Sequence, residues 1–274
     1  VQCLVNEAHK LGVKVIIDHW LENIEAQENG TICLHFKDKG KRCFDAVAIT
    51  TGGSPRIEPL QYLAKCGHKI EQPVPSLFTF NINNNSLKSL MGTVIPNSSL
   101  HIPGSKINSS GALLITHWGI SGPATLKLSS YAARIAKEQN YKIPIAINWA
   151  NGFSITEVEK LLKDIIQNNP QKQISSIRFL DITNRVWTFL LSRADIDYQK
   201  KCNELSKKMI NKLIETLTND IYTTNGKGAF KEEFVTCGGV SLKSINSNTL
   251  ESKHIPNLYF AGEVLDIDAI TGGF

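Results

Sequence analysis

No Cys-x-x-Cys pair occurs in the 274 residues. The six cysteines (Cys3, Cys33, Cys43, Cys66, Cys202, Cys237) are scattered, which fits reduced thiols in a cytoplasmic protein better than a disulfide framework or a zinc site. No apolar run approaches the roughly 20 residues of a membrane helix, and no signal peptide opens the chain. Internal repeats and low-complexity tracts are missing. No metal-ligand spacing appears, and no His or Asp is spaced to suggest a hydrolytic triad. A large excess of one charge is missing too: 30 basic and 25 acidic residues leave only +5. The pairs Lys200-Lys201 and Lys207-Lys208 read as solvated helix faces, without the interleaved aromatics of a stacking surface, which argues against a nucleic-acid partner. There is no initiator Met, and Val1-Gln2-Cys3 enters what reads as a helix already in progress. With the abrupt stop at Phe274, this predicts an internal fragment of a longer protein.

What is present is globular. A hydrophobic content of 42% with 20% charged residues is enough for one large or two to three small domains. Leu4, Val5, Ala8 and Leu11 have helical spacing closed by Gly12, and Val13–Ile17 predicts a strand, together a crossover unit of a parallel sheet. Leu21–Ala26 and Thr31–Phe36 flank Glu28-Asn29-Gly30, a hairpin signal of the type I′ kind. Phe44–Ile49 reads as one buried strand ending at Thr50-Thr51-Gly52-Gly53, and Pro59–Lys65 as a short helix closed by Gly67. Pro73-Val74-Pro75 reads as a rigid linker.

The character then changes. Short β-prone pieces (Leu77–Ile82, Gly92–Ile95, Leu100–Ile102, Ala112–Thr116, Ile143–Asn148) predict an antiparallel sheet or small barrel, with a helix after Gly122-Pro123. Ser154 and Glu157 have capping-box spacing ahead of an apolar stripe that ends at Pro170. Arg185–Arg193 and a stripe through Leu205, Met209, Leu213 and Leu217 predict two more helices. The closing stretch returns to a strand, Asn257–Ala261, that ends in Gly262-Glu263. Ligands in open α/β sheets sit at the carboxyl ends of strands, so two strands ending in small residues and glycine mark a ligand edge.

Several blocks together resemble the YhiN/BaiN-type bacterial flavoproteins, NAD(P)/FAD-dependent oxidoreductases. They are Val235-Thr236-Cys237-Gly238-Gly239-Val240, Leu258 to Asp266, and Thr271-Gly272-Gly273-Phe274. Ile115 to Ala124 is similar to that family's Thr-His-x-Gly-x-Ser-Gly-Pro signature, and Thr50 to Gly53 to its middle flavin motif. The Gly-rich dinucleotide fingerprint of the family is absent and should lie upstream of Val1.

The resemblance implies an α/β fold with β-barrel-like and helical insertions, in which an incomplete Rossmann-like FAD-binding domain is split by the insertion. Residues 1–75 would be its middle part, 76–150 a β-rich insert, 151–225 a helical part, and 226–274 the returning FAD-binding segment. Leu21, Thr51, Gly52, Gly53, Gly262, Glu263, Asp266, Gly272, Gly273 and Phe274 would contact FAD. Glu263 would accept from a ribityl hydroxyl, with Asp266 as the competing carboxylate. His117 is the candidate proton donor, or else a structural hydrogen bonder. Ser121-Gly122-Pro123 reads as a helix cap, and Cys237 as a small buried residue. NAD(P)H would dock transiently and the flavin would reduce an organic acceptor, an enone or steroid-like substrate, although the fragment alone would be inactive. The alternatives are a flavoprotein that acts on tRNA and a non-catalytic partner-binding scaffold.

Overall fold

The computed structural model describes residues 2–228, 235–267 and 269–270. After helix α1 (Gln2–Lys10), residues 13–17 take no regular secondary structure and pair with no strand among the described residues. The expected strand is therefore not formed. Its apolar side chains stand open, with Val15 61% and Ile17 74% exposed.

The hairpin is formed. Strands β1 (Leu21–Ala26) and β2 (Ile32–Phe36) pair antiparallel, with Ile24 opposite Leu34. Its turn differs from the type I′ expectation. The Gln27 N–H donates to the Thr31 carbonyl, and the Asn29 side chain accepts from the Thr31 N–H. Only Gly30 takes positive φ, where a two-residue I′ turn would need two such residues.

Strand β3 (Gly40–Phe44) completes a three-stranded sheet and puts Cys43 directly opposite Cys33. The two form a disulfide, which corrects the expectation of thiols throughout. Register brings together two cysteines whose sequence spacing carried no such signal. Phe44–Ile49 is likewise not one strand. The chain leaves the small sheet at Phe44 and begins β4 (Val47–Ile49), which pairs in parallel with β13 (Leu258–Phe260).

Helix α2 (Gln61–Lys65) follows a 3₁₀ turn, and β5 (Ile70–Ser76) runs through the Pro-Val-Pro segment, which is a strand and not a linker. Strand β5 pairs with β12 (Val235–Val240). Two compact units result: residues up to Pro73 together with Gly238–Ile267, and Val74–Cys237. The first has its own core around Ile32, Leu63, Val240, Leu258 and Phe260.

The second unit is built on a six-stranded antiparallel sheet in the order β11-β10-β7-β8-β9-β6. Its strands are β6 (Phe80–Asn81), β7 (Val94–His101), β8 (Asn108–Ile115), β9 (Gly119–Ser121), β10 (Pro144–Asn148) and β11 (Asp220–Thr223). Two expected pieces, Gly92–Ile95 and Leu100–Ile102, are joined in β7, whose register shifts between Ile95 and Ser98, around Pro96. Short α3 (Asn85–Lys88) is capped by the Asn84 side chain, and α4 (Pro123–Tyr131) and α5 (Ala133–Glu138) pack Ala124, Leu128 and Ala136 inward.

The helical stretch supplies α6 (Ile155–Asn168), α7 (Asn184–Arg193) and α8 (Lys207–Thr218). Ser154 and Glu157 form the capping box that the spacing predicted. Leu162, Trp187, Leu190, Leu213 and Leu217 join Leu100, Leu113 and Ile147 of the sheet in one core. Among the described residues no helix is long and apolar enough to cross a membrane.

Candidate cofactor site

Parallel pairing of β4 with β13 decides where the glycine-ended strands point. Phe260 lies opposite Ile49, and the Ala261 N–H continues the ladder to the Ile49 carbonyl at 3.1 Å. Thr50-Thr51-Gly52 and Ala261-Gly262-Glu263 therefore leave the sheet side by side at its carboxyl edge. Both Gly52 and Gly262 have positive φ, +76° and +77°. At Gly52 the conformation lets the backbone turn at the strand end, and an added Cβ would meet no atom within 4 Å.

Beside this edge is a cavity of about 420 Å³, within the range of small-molecule and cofactor sites. Leu21, Thr51, Gly52 and Gly53 all line it. So do residues that the sequence reading missed, chiefly His19, Trp20, Leu60 and Tyr62. His19 is held by Nδ1 on the Ile17 carbonyl at 2.8 Å and by an edge contact with Phe36. Trp20 is 69% exposed. Tyr62 is buried in the wall, and burial, then the neighbouring Cys66, pushes its phenol upward in pKa. An exposed Trp directly before the first strand was the available signal; Tyr62 gave none, because an aromatic on a short helix reads as core.

The remaining predicted residues divide. Gly262 begins a turn closed by the Leu265 N–H on its carbonyl at 3.1 Å, so Glu263 sits at the tip of that turn, half-buried, at the strand edge but outside the cavity lining. The Asp266 N–H donates to Val240. Gly272, Gly273 and Phe274 lie outside the described residues. His117 belongs to the second unit, exposed at the tip of a turn in which Thr116 and Gly119 bond each other and Trp118 meets its ring edge-on. Ser121-Gly122-Pro123 does lead into a helix, with Pro123 at its first turn and no side-chain cap. Cys237 is buried, as expected. No group of three His, Cys, Asp or Glu side chains among the described residues is placed to hold a metal ion.

A flavin dinucleotide needs flat apolar walls, backbone that it can approach closely and acceptors for its hydroxyls. Trp20, Leu21, Leu60 and Tyr62 offer the first, and Gly52-Gly53 the second. Glu263 offers the third at the same strand edge. The residues present fit the group.

Residues 74–235, more than half of the chain, match the family described as HI0933-like protein barrel and H2TH domain. The chain belongs to this family. It is the YhiN/BaiN-type family of flavoprotein oxidoreductases, which use a flavin cofactor. Among the relatives of this HI0933-like chain is a ribosomal RNA dihydrouridine synthase of Haemophilus influenzae, 27% identical over 284 aligned positions that take in 100% of this chain and 68% of the relative. A ribosomal RNA dihydrouridine synthase of Escherichia coli is 28% identical over 188 positions, 69% of this chain and 44% of the relative. A 3-dehydro-bile acid delta(4,6)-reductase of Clostridium scindens is 22% identical over 210 positions, 76% of this chain and 51% of the relative. The chain thus spans between under half and about two thirds of these relatives' own lengths.

Proposed function

We propose that this chain is the greater part of an FAD-dependent reductase that saturates a carbon–carbon double bond conjugated to a carbonyl, with NAD(P)H as electron donor. The observation that carries the reading is the shared carboxyl edge of β4 and β13, where Thr51-Gly52-Gly53 and Gly262-Glu263 stand together. The strand-end geometry also supports the reading of the first unit as the larger part of a Rossmann-like domain interrupted by the second. The names of the relatives support the reaction class. A delta(4,6)-reductase and a dihydrouridine synthase both imply loss of such a double bond, since the C5=C6 bond of uracil is conjugated to its C4 carbonyl.

When bound, FAD would supply two-electron transfer from a reduced nicotinamide to the acceptor. The chain's own residues would hold it. Leu21 would meet the adenine through its main chain, Thr51, Gly52 and Gly53 would approach the dinucleotide by backbone, and the Glu263 carboxylate would accept from a ribityl hydroxyl, with Asp266 as the competitor. Gly272, Gly273 and Phe274 would add backbone N–H groups. His117, exposed on its turn, is the candidate proton donor.

The test is the full-length protein purified and examined for bound flavin, then for NAD(P)H oxidation that rises with a dienone acceptor. A colourless protein that takes up no FAD would sink the reading. Glu263→Ala should weaken FAD retention about tenfold or more, the scale of one charge-assisted hydrogen bond. Unchanged flavin content would move the ribityl role to Asp266.

A second reading concerns the acceptor, which would be a uracil ring carried in RNA. The names of the Haemophilus influenzae and Escherichia coli relatives favour it. NAD(P)H oxidation that rises with uridine-containing ribosomal RNA and not with a dienone would select it.

A further inference from the structure

The helical part of the second unit holds an unbalanced positive surface. Residues 170–212 contain nine Lys and Arg against four Asp and Glu, so this segment alone carries a net charge equal to the +5 of the whole chain. Its lysines are gathered by the fold. The Ile174 N–H donates to the Lys200 carbonyl and the Cys202 N–H to the Lys172 carbonyl, with Gln173 bridged to Lys201. Lys172, Lys200 and Lys201 therefore stand on two paired segments.

A 3₁₀ turn at Cys202–Glu204 then leads straight into α8, which opens with Lys207 and Lys208 and has no acidic residue in its first turn. The helix dipole there adds to the lysine charge and does not offset it. None of these five lysines is in an ion pair among the described residues. The acids around them have their nearest partners in other groups: Glu204 on the Lys201 backbone N–H, Glu159 with Lys163 and more weakly with Lys207, Asp195 with Lys212, and Asp197 on the Gln199 N–H. Beside the lysines, Tyr198 is 53% exposed. A segment with an excess of cations, its lysines outside direct ion pairs and an exposed aromatic ring two residues from one of them, is what a single-stranded polynucleotide engages through its phosphates and bases.

We infer that Lys172, Lys200, Lys201, Lys207 and Lys208 with Tyr198 form a docking surface for single-stranded RNA. The lysines neutralise backbone phosphates and Tyr198 stacks on one base. This rests on the reading of RNA as carrier of the acceptor ring.

The test uses the full chain and a short, fluorescently labelled, uridine-rich single-stranded RNA, with anisotropy followed across a salt series. Binding should weaken steeply with salt. The variant Lys200→Glu, Lys201→Glu, Lys207→Glu, Lys208→Glu should lose at least about tenfold in affinity and flatten the log–log salt slope by about 3, at roughly 0.7 per phosphate lost. The matching Lys→Gln variant should move in the same direction, which separates charge from misfolding. Tyr198→Ala should lose about tenfold with the slope unchanged. Reversal of Lys37 and Lys39 on the β2–β3 turn and of Lys41 on β3 should leave binding at the wild-type level. Absence of salt-dependent RNA binding in the wild type, or wild-type affinity and slope in the fourfold variant, would overturn the inference. NAD(P)H oxidation by the full-length protein with uridine-containing ribosomal RNA reports separately on the RNA reading.

Discussion

His68 shows how a single side chain couples burial to pH. It is 3% exposed, with Nδ1 3.0 Å from the Leu63 carbonyl and Nε2 2.9 Å from the Ser252 hydroxyl. Ser252 Oγ already accepts the His254 and Ile255 N–H groups, each at 2.9 Å, so its proton must point to His68. The ring is therefore neutral, with its own proton on Nδ1. Burial, and then the nearby His254, lowers its pKa below 6.5, against the Leu63 hydrogen bond, which raises it. Because the unfolded chain takes up the proton first, the stabilisation is complete above about pH 6.5 and is lost as pH falls through the folded value. Thermal melts should show the midpoint falling below that pH, and His68→Gln, which can still accept from Ser252, should flatten the fall. At Gly119, a Cβ would lie 2.2 Å from the Phe80 carbonyl oxygen and 2.6 Å from the Ile82 nitrogen. Gly119→Ala should cost about 3 kcal/mol or abolish soluble expression, as read by denaturant midpoint. Neither effect was legible in sequence: His68 lies in no motif, and Gly119 was noticed only as part of a signature, whose packing reason is the closeness of β6.

Among elements, prediction succeeded where local spacing is enough. The capping box at Ser154 and Glu157, the hairpin at Asn29-Gly30 and the helix after Gly122-Pro123 are each set by neighbours a few residues apart. It failed where a partner is distant. Residues 13–17 are β-branched-rich like a strand yet find no ladder among the described residues, and Phe44–Ile49 divides between two sheets. The buried group at the end of α8 is another long-range product. Asp220, 4% exposed on β11, accepts from Trp149 Nε1 at 3.2 Å, from the Tyr222 hydroxyl at 2.5 Å and from Arg193 of α7 at 2.5 Å. Burial, and then this carboxylate, pushes the Tyr222 phenol far up in pKa. Asp220→Ala would leave the guanidinium, the indole N–H and the phenol without their acceptor. A loss of roughly 3–5 kcal/mol is expected in urea unfolding, because removal of one partner strands the other charge in a low dielectric.

For the molecule as a whole, sheet and helices of the second unit share one core, from Phe78 to Tyr222 in sequence. Its residues are also those that the family match covers. A chain cut to residues 74–235 should therefore fold alone, with one cooperative thermal transition and the buried-tryptophan fluorescence of Trp149 and Trp187, both 1% exposed or less. A non-cooperative melt with red-shifted emission would show that the core needs the first unit. The strand-end part of the candidate site was readable because backbone demands there are displayed directly in sequence, as small residues and glycine at Thr51-Gly52-Gly53 and Gly262. Its walls were not readable, since His19-Trp20 and Tyr62 reach the cavity from two segments some forty residues apart.

Sequence alone determined the hairpin's position, the capping box and the glycines at the strand ends, because those depend on steric and hydrogen-bonding preferences within a few residues. Only the tertiary structure decided which strand ends share an edge, that Cys33 meets Cys43, and that Lys172 is paired with the Lys200-Lys201 segment. Each of these depends on ladder register or on packing between residues far apart in the chain.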